Sequence, residues 1–241
     1  MRLKAARQSL AEFAQATGGR VDSARVSVPK FGRSEASRAR WAAKEKAPGG
    51  SGTLLQKLNY SDSVSQTERE SIESELSVLP QWQRDRAESL INKVVMRNKE
   101  DSGSGYEYKT RTLYLHPDRA AGDVIHEYGH ALEISLDLIH NEKYLKVRAS
   151  GIDVSDLSKI DDDDKTFTER AWILNNPKFI SRYQGHMYEH VGIMDDGKLV
   201  LDSLMDYFSE GYRAYYQTPE LLKEKDSELY NFIGGLKYDK G

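Results

Sequence analysis

The chain has 241 residues, 38 of them Asp or Glu and 35 Lys or Arg, giving a formal net charge of -3, and it contains no cysteine. That length suits one large domain or a domain with an appendage. The lack of cysteine excludes a disulfide framework, a thiolate metal site and a cysteine nucleophile, so any metal falls to His, Asp or Glu. No run of about 18 apolar residues occurs and the start MRLKAARQSL lacks the apolar centre of a signal peptide, so neither a membrane span nor secretion is expected.

Charge is unevenly placed. Residues 1–50 hold 11 Lys or Arg against 4 Asp or Glu, a net +7, which leaves -10 for the remainder. A basic leader on an acidic body has the charge to meet nucleic acid or an acidic partner, but few aromatics and no nucleic-acid motif favour a solvated arm. A short amphipathic helix is predicted over residues 1–18, ending at Gly18-Gly19. Ala47-Pro48-Gly49-Gly50-Ser51-Gly52 has linker composition, so residues 1–52 are expected to be arm and linker and 53–241 the folded domain.

Ser65 to Met96 reads as helical, with Thr67 as N-cap, Glu70 three residues on, and Pro80 dividing the run. The alternation in YEYKTRTLYL predicts a strand over Tyr106–Leu115. After His116-Pro117-Asp118, the stripe Ile125, Leu132, Leu136 and Ile139 predicts an amphipathic helix, with His126, His130, Glu133 and Asp137 on an adjacent face. Ala149 to Lys165, ending in Asp161-Asp162-Asp163-Asp164, reads as a solvated loop, and Phe167 to Leu174 as helical. RYQGHMYEHVGIMDDGKLVL reads as extended with a turn at Asp196-Gly197. Helices are expected over Ser203–Tyr216 and from Pro219 to Gly234-Gly235. Together these elements predict an α+β fold.

The chemical signal is VIHEYGH at Val124–His130. Histidines four apart on a helix face the same way and can share zinc, with the intervening glutamate beside them as a base. The sixth residue after His130 is Leu136, so a third ligand histidine does not follow there, and His140 would point away from His126. The helix around Asp206-Tyr207-Phe208-Ser209-Glu210 supplies the carboxylates: Asp206 as ligand with Glu210 accepting an imidazole proton behind it, or Glu210 as ligand, since Asp is one methylene shorter. Glu127 is the candidate general base, and Tyr183 or Tyr188 the candidate oxyanion donor. The second cluster, His186-Met187-Tyr188-Glu189-His190, has the inverted zinc-binding pattern, but its glycine-rich surroundings favour strand, which would put His186 and His190 about 13 Å apart.

VIHEYGHALE together with YFSEGYRAYYQTPELLKEKDSELYNFI resembles the zincin catalytic fold of the anthrax-lethal-factor-like peptidases. In that family a Glu-aromatic-Phe-Ala-Glu helix supplies the third ligand. The resemblance implies Asp206 at the ligand position, Ser209 in place of the alanine, and Glu210 as the following acid. TGGRVDSARVSVPKFGRSEASRA and RYQGHMYEHVG are similar to bacteriophage head-morphogenesis (minor head) proteins, some of which carry such a domain.

The resemblance therefore implies a helix-rich zincin-like metallopeptidase domain with a small twisted sheet and a basic N-terminal arm. It also implies zinc as cofactor and hydrolysis of a peptide bond in phage head assembly, in the host cytoplasm or the virion. The substrate would be an extended peptide held along Tyr106–Leu115, and capsid or portal proteins would meet the arm. The alternatives are a catalytically inactive docking component of the virion and an effector or toxin peptidase.

Overall fold

The computed structural model describes residues 58–159, 172–187, 192–193, 199–201 and 204–237. The N-terminal arm with its helix and linker, Asp161–Asp164, residues 167–171, Tyr188 and the Asp196-Gly197 turn lie outside the described residues. Among those described, the architecture is α+β, with two three-stranded sheets and a two-stranded pair packed with seven α-helices.

Helix α1 (Gln66–Leu76) buries Ile72 and Leu76 and starts at Ser65, whose hydroxyl accepts from Glu68 N at 3.2 Å. Ser65, not Thr67, is thus the cap: the reciprocal Thr67–Glu70 spacing is overridden by a serine placed to reach the first free amides. Helix α2 (Gln81–Glu88) follows Pro80. The helical reading stops short of Met96, because Lys93–Met96 forms strand β1, where β-branched Val94 and Val95 pair with Leu113 and Tyr114.

The expected single strand over Tyr106–Leu115 is a hairpin. Strands β2 (Gly105–Glu107) and β3 (Thr112–Leu115) run antiparallel, with Tyr106 opposite Leu113. Arg111 takes the left-handed conformation (φ 55°) that reverses the chain without a glycine. Among the described residues the sheet order is β1-β3-β2, which puts β2 at an edge.

Helix α3 (Asp123–Ser135) carries the two-histidine motif and is buried around most of its circumference. Its N-cap, Gly122, is left-handed (φ 89°) and offers no side chain. One of its free amides is met from another helix, where Glu75 of α1 accepts from Ile125 N at 3.2 Å, and Asp123 accepts from Ala120 N at 3.1 Å in the loop that enters the helix. The helix ends before Ile139, since Asp137 is left-handed (φ 54°) and pairs with His140 at 2.6 Å in a 3-10 turn, Leu138–His140. Glu133 also leaves the expected polar face, accepting from Tyr144 OH at 2.9 Å inside the core.

Helix α4 (Glu142–Ala149) is closed at its C-terminal end by Lys178, whose Nζ donates to the carbonyls of Val147, Arg148 and Ser150. The second sheet joins β4 (Leu157–Lys159), β5 (Trp172–Leu174) and β6 (His186–Met187) in that order. Trp172–Leu174 is therefore strand rather than the helical end expected. Strands β7 (Gly192–Ile193) and β8 (Leu199–Val200) pair antiparallel.

Helix α5 (Asp206–Gln217) is followed by α6 (Pro219–Lys225) and α7 (Ser227–Gly234). The single last helix expected is split at Asp226, whose carboxylate accepts from Leu229 N at 2.9 Å and restarts the helix. Tyr144, Tyr207, Phe208 and Tyr212 fill the centre, with Phe208 and Tyr212 stacked at 5.7 Å. Tyr212 and Tyr216 both donate to Gln83 at 2.7 Å, tying α5 to α2. Among the described residues no helix is long and apolar enough to cross a membrane.

Helices α3 and α5 approach each other closely. A Cβ added at Gly129 would lie 2.8 Å from Ser209 Cα, and one at Gly122 would overlap the Gln217 side chain. Gly129→Ala gains about 1 kcal/mol of helix propensity, but forcing a methyl group against backbone costs about 1–3 kcal/mol. Because the opposing atom is a Cα that cannot rotate aside, the clash wins: the variant is expected to melt several degrees lower than wild type by calorimetry. An unchanged or higher midpoint would show that the helices are free to separate.

Candidate metal centre

The i, i+4 spacing on α3 brings His126 and His130 onto one face, and the first turn of α5 brings Asp206 against them. His126 Nε2 and His130 Nε2 are 3.2 Å apart, and Asp206 Oδ1 lies 3.3 Å from the former and 3.1 Å from the latter. These are the one group of three or more metal-ligand side chains found together among the described residues.

The fit to zinc follows from size and from lone pairs. A tetrahedral ion bonded at about 2.0–2.2 Å holds its ligand atoms roughly 3.3 Å apart, close to the observed triangle. The outer nitrogens face oxygens: His126 Nδ1 is within ion-pair distance of Glu210 Oε1, 2.8 Å, though off the angle of a hydrogen bond, and His130 Nδ1 is 3.2 Å from the Tyr108 hydroxyl. With protons on those nitrogens, both Nε2 lone pairs and a carboxylate oxygen converge on one point. Such a convergence repels unless a cation or protons lie between.

Charge states are consistent with that picture. Burial opposes a charge on His126, but hydrogen bonds to Asp206 and Glu210 overcome it and hold the imidazolium well above its ordinary range. Burial raises Asp206 and Glu210, yet their histidine contacts hold both carboxyls below their ordinary range, with Arg213 and Ser181 assisting at Glu210. Arg213 Nη2 and Ser181 Oγ each donate to Glu210 Oε2 at 2.8 Å. Glu127 is pushed up by burial against the lowering pull of His126 and His130, and its buried Oε2 has no hydrogen-bond partner.

The group opens on a cleft of about 510 Å³ lined also by Gly105 and Tyr106 of β2, by Tyr183 and by Arg213. The Tyr183 phenol is raised by burial and then by the charges of Asp206 and Glu210, so it stays protonated and able to donate. Of the alternatives for the third ligand, Asp206 faces both Nε2 atoms and Glu210 stands behind His126. The shorter Asp side chain reaches because α3 and α5 touch at Gly129 and Ser209. His140 is engaged with Asp137, away from the group. His186 lies in β6 and is lowered to about 4 by burial, with Asp206 pulling the other way; Tyr188, Glu189 and His190 lie outside the described residues.

Three contributors were not singled out from the sequence. Arg213 was legible as an i, i+3 partner of Glu210. Ser181 and Tyr108 carried no local signal, because their contacts depend on how distant segments fold together.

Zinc can enter only if the proton on His126 leaves, so binding near pH 7 is expected to release about one proton per chain and to weaken about tenfold per pH unit on acidification. Calorimetry in buffers of different ionisation enthalpy measures this; binding without proton release would contradict the assigned charge state. Asp206→Ala should abolish stoichiometric zinc, while Glu210→Ala should weaken it about 10- to 100-fold, as determined by elemental mass spectrometry and chelator competition. Comparison of the chain with protein-family models, curated proteins and solved structures finds no match.

Proposed function

We propose that the chain is a zinc-dependent metallopeptidase with a zincin-like arrangement, acting on an extended polypeptide. The observation that carries this reading is the triangle of His126 Nε2, His130 Nε2 and Asp206 Oδ1, with sides of 3.1–3.3 Å, beside the unpartnered carboxylate oxygen of Glu127. His126, His130 and Asp206 would hold the zinc, and Glu210, braced by Arg213 and Ser181, would orient His126. Zinc bound there supplies a Lewis acid that acidifies water and polarises a carbonyl.

The chain's own residues do the rest. Strand β2, at the sheet edge and along the cleft, offers backbone groups to a peptide lying extended beside it. Glu127 takes a proton from the attacking water as its oxygen bonds to the scissile carbon, then delivers it to the amine as the C–N bond breaks. Its raised affinity for protons suits both roles. Tyr183 donates to the carbonyl oxygen as that atom gains charge. A setting in phage head assembly is supported by the resemblance of residues 17–39 and 182–192 to minor head proteins, and the basic arm is the segment that would meet capsid or portal.

Glu127→Gln should retain one zinc per chain and lose cleavage of fluorescent casein and of a mixed peptide library by at least about 10²-fold. Tyr183→Phe should lower kcat about 10²-fold at unchanged zinc affinity. If Glu127→Gln cleaves as fast as wild type, or the zinc-loaded wild type cleaves neither substrate, the peptidase reading fails.

A further inference from the structure

The two histidines of the metal centre are held by unlike partners. His126 Nδ1 meets a carboxylate, Glu210, at 2.8 Å, whereas His130 Nδ1 meets a phenol, Tyr108, at 3.2 Å. Tyr108 opens the turn between β2 and β3, one residue after the last residue of β2. It is buried, its ring stands edge-on to both Tyr106 and His130, and its hydroxyl lies on the side of the imidazole away from Asp206.

We infer that Tyr108 is a positioning residue of the metal centre, fixing the tautomer and tilt of His130 and joining the cleft-edge hairpin to the metal. The inference rests on the metal reading above. For His130 to offer Nε2 to a cation, its proton must sit on Nδ1, and that buried N–H needs an acceptor. The Tyr108 oxygen is the acceptor within reach. A neutral phenol oxygen is a weaker acceptor than a carboxylate, so its removal costs less affinity than loss of the Glu210 charge. The attachment also gives a peptide on β2 a direct route to the metal: a shift of that strand moves Tyr108, and Tyr108 holds the ring.

Tyr106 provides the control. It too is a buried tyrosine of the same hairpin, but its hydroxyl donates to Leu90 O at 2.5 Å rather than meeting a histidine. Zinc affinity is measured by competition with a chromophoric chelator for the full chain and for Tyr108→Phe, Tyr106→Phe and Glu210→Gln. Tyr108→Phe should weaken zinc about 10-fold and Glu210→Gln more strongly, whereas Tyr106→Phe should lower the melting temperature of the metal-free protein and leave zinc affinity unchanged. Long-range nitrogen–proton NMR of the zinc-loaded wild type should show His130 protonated at Nδ1, and this measurement stands whether or not the variant folds.

Wild type that binds zinc while Tyr108→Phe matches it, or loses no more affinity than Tyr106→Phe, overturns the role of Tyr108 and leaves the metal reading standing. The same holds if His130 carries its proton on Nε2. Wild type that binds no zinc overturns both.

Discussion

Ionisable side chains do not enter a protein interior singly. His126, Glu127, His130, Asp206 and Glu210 are packed between two helices with little contact with water, where an isolated charge costs several kcal/mol. Only mutual pairing makes that tolerable, and pairing at about 3 Å leaves almost no freedom in how α3 and α5 are set against each other. The surrounding construction answers that demand. Glu75 steadies the start of α3 from a third helix, Gln83 receives two tyrosines from α5, and Arg213 spans from Glu210 to Asp123. Each contact resists a displacement that would unpair a buried charge.

The pairing is not self-sufficient. Among these groups, Glu127 keeps an oxygen without a partner, and His126 must hold a proton to remain between two carboxylates. Replacing such a cluster with apolar side chains of similar volume is commonly neutral or stabilising, so its presence argues for chemistry rather than for strength of fold. A divalent cation would relieve the convergence of lone pairs while leaving Glu127 free to act on a neighbouring molecule. That division of labour, with some acids neutralised and one left available, underlies the peptidase reading.

The sequence carried the local part of this arrangement well. Histidines at i and i+4, carboxylates at the head of α5 and turn residues near Pro80 and Pro219 are written in short-range spacing. The choice between Asp206 and Glu210 was not, because it depends on the distance between two helices whose contact is made through Gly129 and Ser209, some 80 residues apart. The hairpin looks like one strand in the sequence because alternation runs unbroken through Tyr108 to Arg111, and the reversal uses an arginine in a conformation usually left to glycine. Tyr108 carries no signal for the same reason, since it reaches His130 only once the chain turns. Strand β1 is not distinguishable from the helical run before it, because four residues are too few for a period to declare itself.

The closeness of α3 and α5 has a further consequence. They meet backbone to backbone at Gly129 and Ser209, and the Gln217 side chain lies over Gly122, seven residues away along one chain segment and eight along the other, in opposite directions. The backbone contact limits how closely and in what register the helices meet, and so bears on the span between the ligand atoms. Calcium, with bonds of about 2.3–2.6 Å and six or more oxygen ligands, would need a wider frame and other donors, whereas a small ion that accepts four ligands including nitrogen fits as the frame stands. Any discrimination by ionic radius would then rest on Gly129, a residue that has no side chain.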